Sequence, residues 1–339
     1  MESPKGQRLQ LNEVKIIKNG IRPPLHQSGS FWIAGKIFPG RNILLLIYKQ
    51  GRQGISTRKG KGTMIKNLQD TVTLANGVDM PGFGLGVFKM EEGDETIQSV
   101  INAIKLGYRS IDTAATYNNE EGVGQAIRNF DIPREKLFIT TKVWNSDQGY
   151  ETTLQAFEES KRKIGLDYID LYLVHWPVAG KYKETWKALE HLYKQGEVRA
   201  IGVSNFHKHH LEDLLAHAEI KPMVNQVELH PLLAQSGLRE YCKEEGIAVE
   251  AWAPLAQGRL INHPTLVTIA EKYGKSVAQI ILRWHIQHGI IVIPKSIKEH
   301  RIAENADIFD FNLSFHDMIT IDKIDANERV GPNPDNFNF

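Results

Sequence analysis

The feature that most constrains the fold is a strict alternation of strand-like and helix-like segments from Pro81 onward. Between the apolar runs, apolar residues recur at helical spacing, as at Ile97, Val100 and Ile104, and this helix is closed by Gly107. Such alternation is typical of parallel strands joined by crossover helices, and eight repeats favour a closed barrel over an open doubly wound sheet. The sequence therefore predicts an α/β fold, a (β/α)8 TIM barrel. Its strands are expected at 82–87, 108–112, 137–143, 169–176, 198–204, 223–229, 248–253 and 290–294.

A short alternating pair of segments precedes the barrel. Residues 71–74 and 78–80 flank Asn76-Gly77, a dipeptide that favours the tight turn of a β-hairpin. We expect this N-terminal β-hairpin to close the bottom of the barrel. The reactive groups of such barrels gather at the opposite end, where the strands finish.

Residues 1–63 differ from the rest of the chain. They hold 12 Lys and Arg against 2 Asp and Glu, without a sustained helical or strand period. We expect a disordered basic leader that does not fold independently, with the barrel in residues 64–339. A targeting arm is one interpretation. The other is a non-native segment, because the run from Arg58 to Met64 resembles a translated ribosome-binding site, and we predict Met64 as the natural start.

The bulk composition limits the partners and the compartment. A net charge of +1 on 339 residues indicates neither nucleic acid nor an anionic membrane as a partner. No apolar stretch approaches the ~20 residues that span a bilayer. The single cysteine, Cys242, excludes an internal disulfide, and its helical context favours a structural thiol over a nucleophile. We expect a cytoplasmic monomer.

Four ionisable or phenolic side chains stand at or just after the ends of the second, third and fourth predicted strands: Asp112, Tyr117, Lys142 and His175. Each alone has an ordinary structural interpretation, as a helix cap, a loop aromatic, a surface charge or a core histidine. Together they indicate a functional site. Lys142 ends an otherwise apolar strand, where burial of its charge is costly unless a partner such as Asp112 pairs with it.

The chemistry follows from the same group. A nearby ammonium is expected to lower the pKa of the Tyr117 phenol from about 10, which would make Tyr117 a general acid. His175 is expected to orient a carbonyl oxygen as negative charge develops on it. The sequence contains neither a serine nucleophile with its base, nor a Cys/His metal cage, nor a glycine-rich phosphate loop. The pattern predicts an acid-assisted carbonyl reaction, without a metal, that requires a hydride donor.

Several long motifs in order make the chain resemble the aldo-keto reductase superfamily, especially the bacterial branch with glyoxal and methylglyoxal reductases and 2,5-diketogluconate reductases. The motifs are GYRSIDTAATYNNEEGVG (107–124), LDYIDLYLVHWP (166–177), AIGVSNF (200–206), NQVELHP (225–231) and IPKSIKEHRIAEN (293–305). The resemblance implies that Asp112, Tyr117, Lys142 and His175 form the family's catalytic tetrad.

The resemblance also implies the cofactor contacts. Ser204, Asn205 and Gln226 would hold the nicotinamide amide, and Trp252 would stack on its ring, although ordinary strand-end packing is an alternative for Trp252. The resemblance also places Leu255, Gln257 and Gly258 near the pyrophosphate. Lys295, Ser296 and Arg301, where a strand enters a helix, would bind a 2′-phosphate, whereas Lys298 is left on the surface. With Glu304 and Asn305 as adenine contacts, NADPH is the expected cofactor.

The segments around the expected pocket are short, which predicts an open site for small substrates. Phe88, Trp144 and Trp176 are expected to form its apolar walls. Two functions remain: an NADPH-dependent reductase of glyoxal, methylglyoxal or keto sugars, and an NADPH-binding regulatory or structural subunit with little turnover. The intact tetrad favours the enzyme.

Overall fold

The structure is a computed structural model that describes residues 32–34, 46–48, 65–337 and 339. The chain divides into two units, Met1–Lys59 and Gly60–Phe339. In the first unit, strand β1 (Trp32–Ala34) pairs with β2 (Leu46–Tyr48) in antiparallel register. The remainder of the predicted leader, and Met64 as its boundary, lie outside the described residues.

The predicted hairpin is confirmed at the start of the second unit. Strands β3 (Thr71–Thr73) and β4 (Asp79–Pro81) pair antiparallel around Gly77, whose φ of +87° suits glycine. The side chain of Asn76 donates a hydrogen bond of 2.9 Å to the carbonyl of Arg199. Since Arg199 lies at the beginning of a barrel strand, the hairpin sits at the bottom of the barrel, as expected.

Eight parallel strands then follow one another around the barrel in chain order. The circle is closed by a parallel bridge between Phe83 and Val292 and by a 3.3 Å hydrogen bond from Gly86 N to Pro294 O. The TIM barrel is confirmed, with first and last strands shorter than predicted. The strands are β5 (Gly84–Gly86), β6 (Ser110–Asp112), β7 (Phe138–Val143), β8 (Ile169–Val174), β9 (Val198–Ser204), β10 (Val224–Glu228), β11 (Ala248–Trp252) and β12 (Ile291–Val292).

Helices cover the outside of the barrel with their apolar faces inward. In α1, Ile97, Val100 and Ile104 are buried, as their spacing predicted, and Gly107 follows with a φ of +101°. The helices are α1 (Asp94–Lys105), α2 (Glu120–Arg128), α3 (Tyr150–Ile164), α4 (Tyr182–Gln195), α5 (Lys208–Leu215), α6 (Ser236–Glu245), α7 (Pro264–Tyr273), α8 (Val277–Gln287), α9 (Glu299–Ala306) and α10 (Phe315–Asp322).

The core lies in two layers, inside the barrel and between the barrel and its helices. Every residue of β7 and β8 is buried, because one face meets helices and the other the barrel interior. Burial on both faces explains why these strands contain few charged residues, Lys142 in β7 and Asp170 in β8. Among the described helices, none has the length and apolarity that a bilayer crossing requires.

Candidate active site

Three neighbouring strands bring the predicted tetrad to the carboxyl end of the barrel. Asp112 ends β6, Lys142 lies near the end of β7, and His175 directly follows β8. Tyr117 ends a short 3-10 turn, residues 115–117, that leaves β6. Its ring centroid lies 5.1 Å from the Lys142 ammonium and 5.7 Å from the His175 ring centroid. All four side chains therefore lie close together at this end of the barrel.

The ammonium of Lys142 is completely buried and makes two hydrogen bonds. Its Nζ donates to Asp112 Oδ1 at 2.7 Å and to the carbonyl of Thr113 at 2.8 Å. Burial lowers the pKa of Lys142, but the charge and hydrogen bond of Asp112, together with Tyr117 and Glu250, raise it by more in sum, so the pKa lies above its ordinary value. Lys142 thus remains a cation within the site.

His175 is held as a neutral imidazole. Burial lowers the pKa of His175 most, and the positive charge of Lys142 lowers it further, so this pKa lies well below the usual range. Its Nδ1 is buried and has no hydrogen-bond partner among the described residues. A neutral ring beside the phenol can donate one hydrogen bond to a substrate oxygen without bringing in a second cation.

The expected lowering of the Tyr117 pKa is wrong as a net effect. Burial raises the pKa of Tyr117 above its ordinary value, Lys142 lowers it, and the negative charge of Asp112 raises it again. The ammonium therefore offsets only part of the cost of forming a phenolate in this buried position. Tyr117 carries its proton at neutral pH, which a proton donor requires.

Glu250 is a member of the site that the sequence analysis missed. It is fully buried in β11, and the amide Nε2 of Gln226 donates to both Glu250 Oε2 and Asp112 Oδ2 at 2.7 Å. Burial and the nearby Asp112 raise the pKa of Glu250 to about 8, so at neutral pH it holds a proton. The available signal was an acidic residue inside the apolar run AVEAW, two positions before Trp252.

The residues expected to hold the nicotinamide amide form a connected polar group beside the tetrad. Asn205, with a φ of +65°, donates to the carbonyl of His175 at 3.0 Å and to Ser204 Oγ at 3.1 Å. Its own Oδ1 accepts from Trp252 Nε1 at 2.8 Å, and Ser204 Oγ donates to the backbone of Gln226 at 2.9 Å. Gln226 gives its amide hydrogens to the carboxyl groups of Asp112 and Glu250, which leaves its Oε1 to accept from a carboxamide.

The residues expected to bind the phosphates lie on loops that follow β11 and β12. Gln257 and Gly258 are exposed in a 3-10 turn with positive φ, and Leu255 is half-buried before it. Lys295 and Arg301 are exposed beside the buried Ser296, where the chain enters α9. Two exposed cations and a hydroxyl near a helix N-terminus suit a phosphate group. Lys298 is exposed, Glu304 is half-buried and Asn305 is buried in α9.

Aromatic rings surround the phenol and imidazole. The ring of Phe88 lies 4.9 Å from that of Tyr117, and Trp144 contacts His175 with a centroid distance of 5.1 Å. The third expected wall residue, Trp176, is mostly buried close by.

The C-terminal tail adds to this wall, which the sequence analysis did not predict. Phe339 stacks on Trp144 at 5.7 Å and packs edge-on against Trp176 at 5.2 Å. Phe337 lies 5.1 Å from Trp176, and Asn145 donates to the backbone carbonyl of Phe339 at 3.2 Å. The rim that looked short in sequence is therefore extended by residues far away in the chain.

The sequence is similar to those of known proteins. The Aldo/keto reductase family model matches residues 82–326. Glyoxal reductase of Bacillus subtilis (strain 168) is 66% identical over 276 residues, which cover 81% of this chain and 100% of that protein. Methylglyoxal reductase DkgA of Escherichia coli (strain K12) is 46% identical over 270 residues, with 78% and 97% covered.

The fold is also similar to that of solved structures. A mutant of Gox0644 in complex with NADPH is 45% identical and superposes with a TM-score of 0.77, over 80% of this chain and 99% of that one. The match in sequence, barrel and motifs confirms the resemblance, and the chain belongs to the aldo/keto reductase family.

Proposed function

We propose that the protein reduces small reactive aldehydes and ketones, glyoxal and methylglyoxal among them, to alcohols with NADPH as the hydride donor. The observation that carries this proposal is the convergence of Tyr117, Lys142 and His175 at the carboxyl end of the barrel, beside the Asn205 amide. Support for the substrates comes from relatives named glyoxal reductase and methylglyoxal reductase. Keto sugars are further candidates of the same chemical class.

NADPH, when bound, supplies the hydride that the carbonyl carbon accepts. The chain's own residues handle the oxygen. The neutral His175 imidazole orients the carbonyl by a hydrogen bond, and the Tyr117 hydroxyl gives its proton to the oxygen as negative charge develops there. Lys142, fixed by Asp112, then stabilises the phenolate left on Tyr117.

The pocket suits small substrates. Phe88, Trp144 and Trp176, together with the tail residues Phe337 and Phe339, place apolar rings around the two polar groups that touch the oxygen. Such a site excludes water from the reacting carbonyl and binds through a few well-placed polar contacts.

The test is NADPH consumption with methylglyoxal by the wild-type protein and Tyr117→Phe. We expect the variant to lose at least about two orders of magnitude in kcat, the range of general acid catalysis, because it lacks the proton donor. NADPH binding, measured by fluorescence, should be unchanged. An unchanged rate would refute the role of Tyr117. Tight NADPH binding by the wild type without turnover on a carbonyl panel would instead favour the regulatory or structural subunit.

We further propose that the protein acts as a cytoplasmic monomer without a nucleic-acid partner. The near-neutral charge of +1 supports this. So does Cys242, a buried thiol whose pKa burial raises to about 11, which keeps it unreactive. Light scattering after size-exclusion chromatography decides the oligomeric state, and a dimer mass would contradict the proposal.

A further inference from the structure

A second cluster of chemically active side chains lies outside the site described above. His207 precedes helix α5, His209 and His210 lie in its first turn, and Asp335 comes from the C-terminal tail. One donor atom from each of the four residues lies within 4.8 Å of the other three. Three imidazoles and a carboxylate are the ligand types that zinc and neighbouring transition metals prefer.

The distances between these donor atoms fit a metal ion. Asp335 Oδ1 lies 3.1 Å from His209 Nε2 and 3.7 Å from His210 Nε2. In a tetrahedral zinc site with bonds of about 2.0–2.2 Å, neighbouring donors are about 3.3 Å apart. Both separations lie within a few tenths of an ångström of that spacing, and all donor atoms of the cluster lie within 4.8 Å of one another. Adjustment of the side chains can therefore place three of these atoms around one ion, with water as the fourth ligand.

His207 holds the carboxylate. Its Nε2 accepts from Arg329 Nη2 at 2.7 Å, so its proton lies on Nδ1, which donates to Asp335 Oδ2 at 2.9 Å. This leaves Oδ1 for the metal. Hydrogen bonds of this kind fix the orientation of ligating carboxylates in metal sites.

Binding through His210 would cost the protein one hydrogen bond. His210 Nδ1 now accepts a 3.2 Å hydrogen bond from the backbone N–H of His207. That bond would be lost, because a neutral imidazole ligated through Nε2 carries its proton on Nδ1.

We propose that His209, His210 and Asp335 form a binding site for a divalent transition metal such as Zn²⁺ or Ni²⁺, with His207 orienting the carboxylate. The site links the first turn of α5, close behind the nicotinamide-binding Asn205, to the tail. Asp335 stands two residues before Phe337 and four before Phe339, whose rings pack on Trp176. A bound ion would therefore hold the aromatic wall of the substrate pocket in place.

Titration calorimetry with ZnCl₂ on the full chain, carrying no histidine tag, tests the site at pH 7.5. We expect one ion per chain with a micromolar Kd in the wild type. His209→Ala and Asp335→Asn should each weaken binding at least tenfold. His316→Ala, which removes a histidine 88% exposed on α10, is the matched control and should leave binding unchanged. Absence of binding, or equal binding by all variants, would overturn the proposal.

The link to the tail has a separate readout. Chymotrypsin, which cleaves after aromatic residues, should cut the chain after Phe337 more slowly in the wild type when Zn²⁺ is present. Zn²⁺ should have no such effect on Asp335→Asn. Equal cleavage of the wild type with and without bound zinc would show that the ion does not hold the tail.

Discussion

Glu250→Gln is the change that most directly tests the electrostatics of the barrel interior. In the wild type, Glu250 is buried, shares the Gln226 amide with Asp112, and has a pKa raised to about 8. The ordinary pKa of an unburied glutamate is 4.5. Between these two values the folded protein holds a proton that the unfolded chain releases. Raising the pH through this window therefore destabilises the native state.

The magnitude follows from proton linkage. One proton held only by the native state costs about 1.4 kcal/mol of unfolding free energy for each pH unit. From pH 5.5 to 7.5 the wild type should thus lose about 3 kcal/mol that Glu250→Gln, of the same shape and uncharged, does not lose. For a domain of this size that corresponds to about 6 °C in Tm.

Thermal unfolding of both proteins, across that pH range and at one scan rate, measures the effect. The difference in Tm should grow with pH in favour of Glu250→Gln. Glu240→Gln, which neutralises a side chain 63% exposed on α6, is the matched control and should follow the wild type. Parallel curves for wild type and Glu250→Gln would refute the reasoning.

Glu250→Gln should also change how the reduction rate depends on pH. When Glu250 ionises, its negative charge raises the pKa of Tyr117 further and opposes negative charge on the substrate oxygen. The reduction rate of the wild type should therefore fall above about pH 8, and the rate of Glu250→Gln should fall only at higher pH.

Three further changes test other parts of the molecule. Arg301→Ala should raise the KM for NADPH about tenfold and leave the KM for NADH nearly unchanged, because only NADPH carries the 2′-phosphate. Equal changes of the two KM values in steady-state kinetics would contradict the assignment of Arg301 to the 2′-phosphate. Phe339→Ala should raise the KM for methylglyoxal about threefold to tenfold with little change in kcat, through loss of aromatic contacts, and a collapse of kcat alone would contradict it. Gly124→Ala should lower stability in urea unfolding by about 1–3 kcal/mol, since its Cβ would lie 2.0 Å from the carbonyl of Ile164; the helical Gly237→Ala, with open space around it, is the control and should not lower it.

The regular parts of the barrel could be predicted from local pattern. The hairpin around Asn76-Gly77 and the eight strands follow from turn chemistry and apolar runs, which act between neighbouring residues. The first and last strands were predicted too long. The first barrel strand has three residues and the last has two. These two strands meet where the barrel closes, and closure depends on contacts between residues far apart in the chain.

The tetrad was also accessible from sequence, because in a parallel barrel every strand end points to the same face. Asp112, Lys142 and His175 each stand at such an end, so their convergence follows from the fold itself. The sign of the Tyr117 pKa shift was not accessible. It depends on how burial, one ammonium and two carboxyl groups balance at distances that only the packed structure sets.

The sequence by itself thus determined the barrel, the strand ends and the chemical types of the groups placed there, since these depend on periodicity and order along the chain. Only the tertiary structure decided that Glu250 shares the amide of Gln226 with Asp112, that Phe339 stacks on Trp144, and that Asp335 meets the histidines of α5. These contacts join residues that are far apart in sequence. No local pattern encodes such contacts, because their energies arise from the burial and pairing of side chains after the chain has closed on itself.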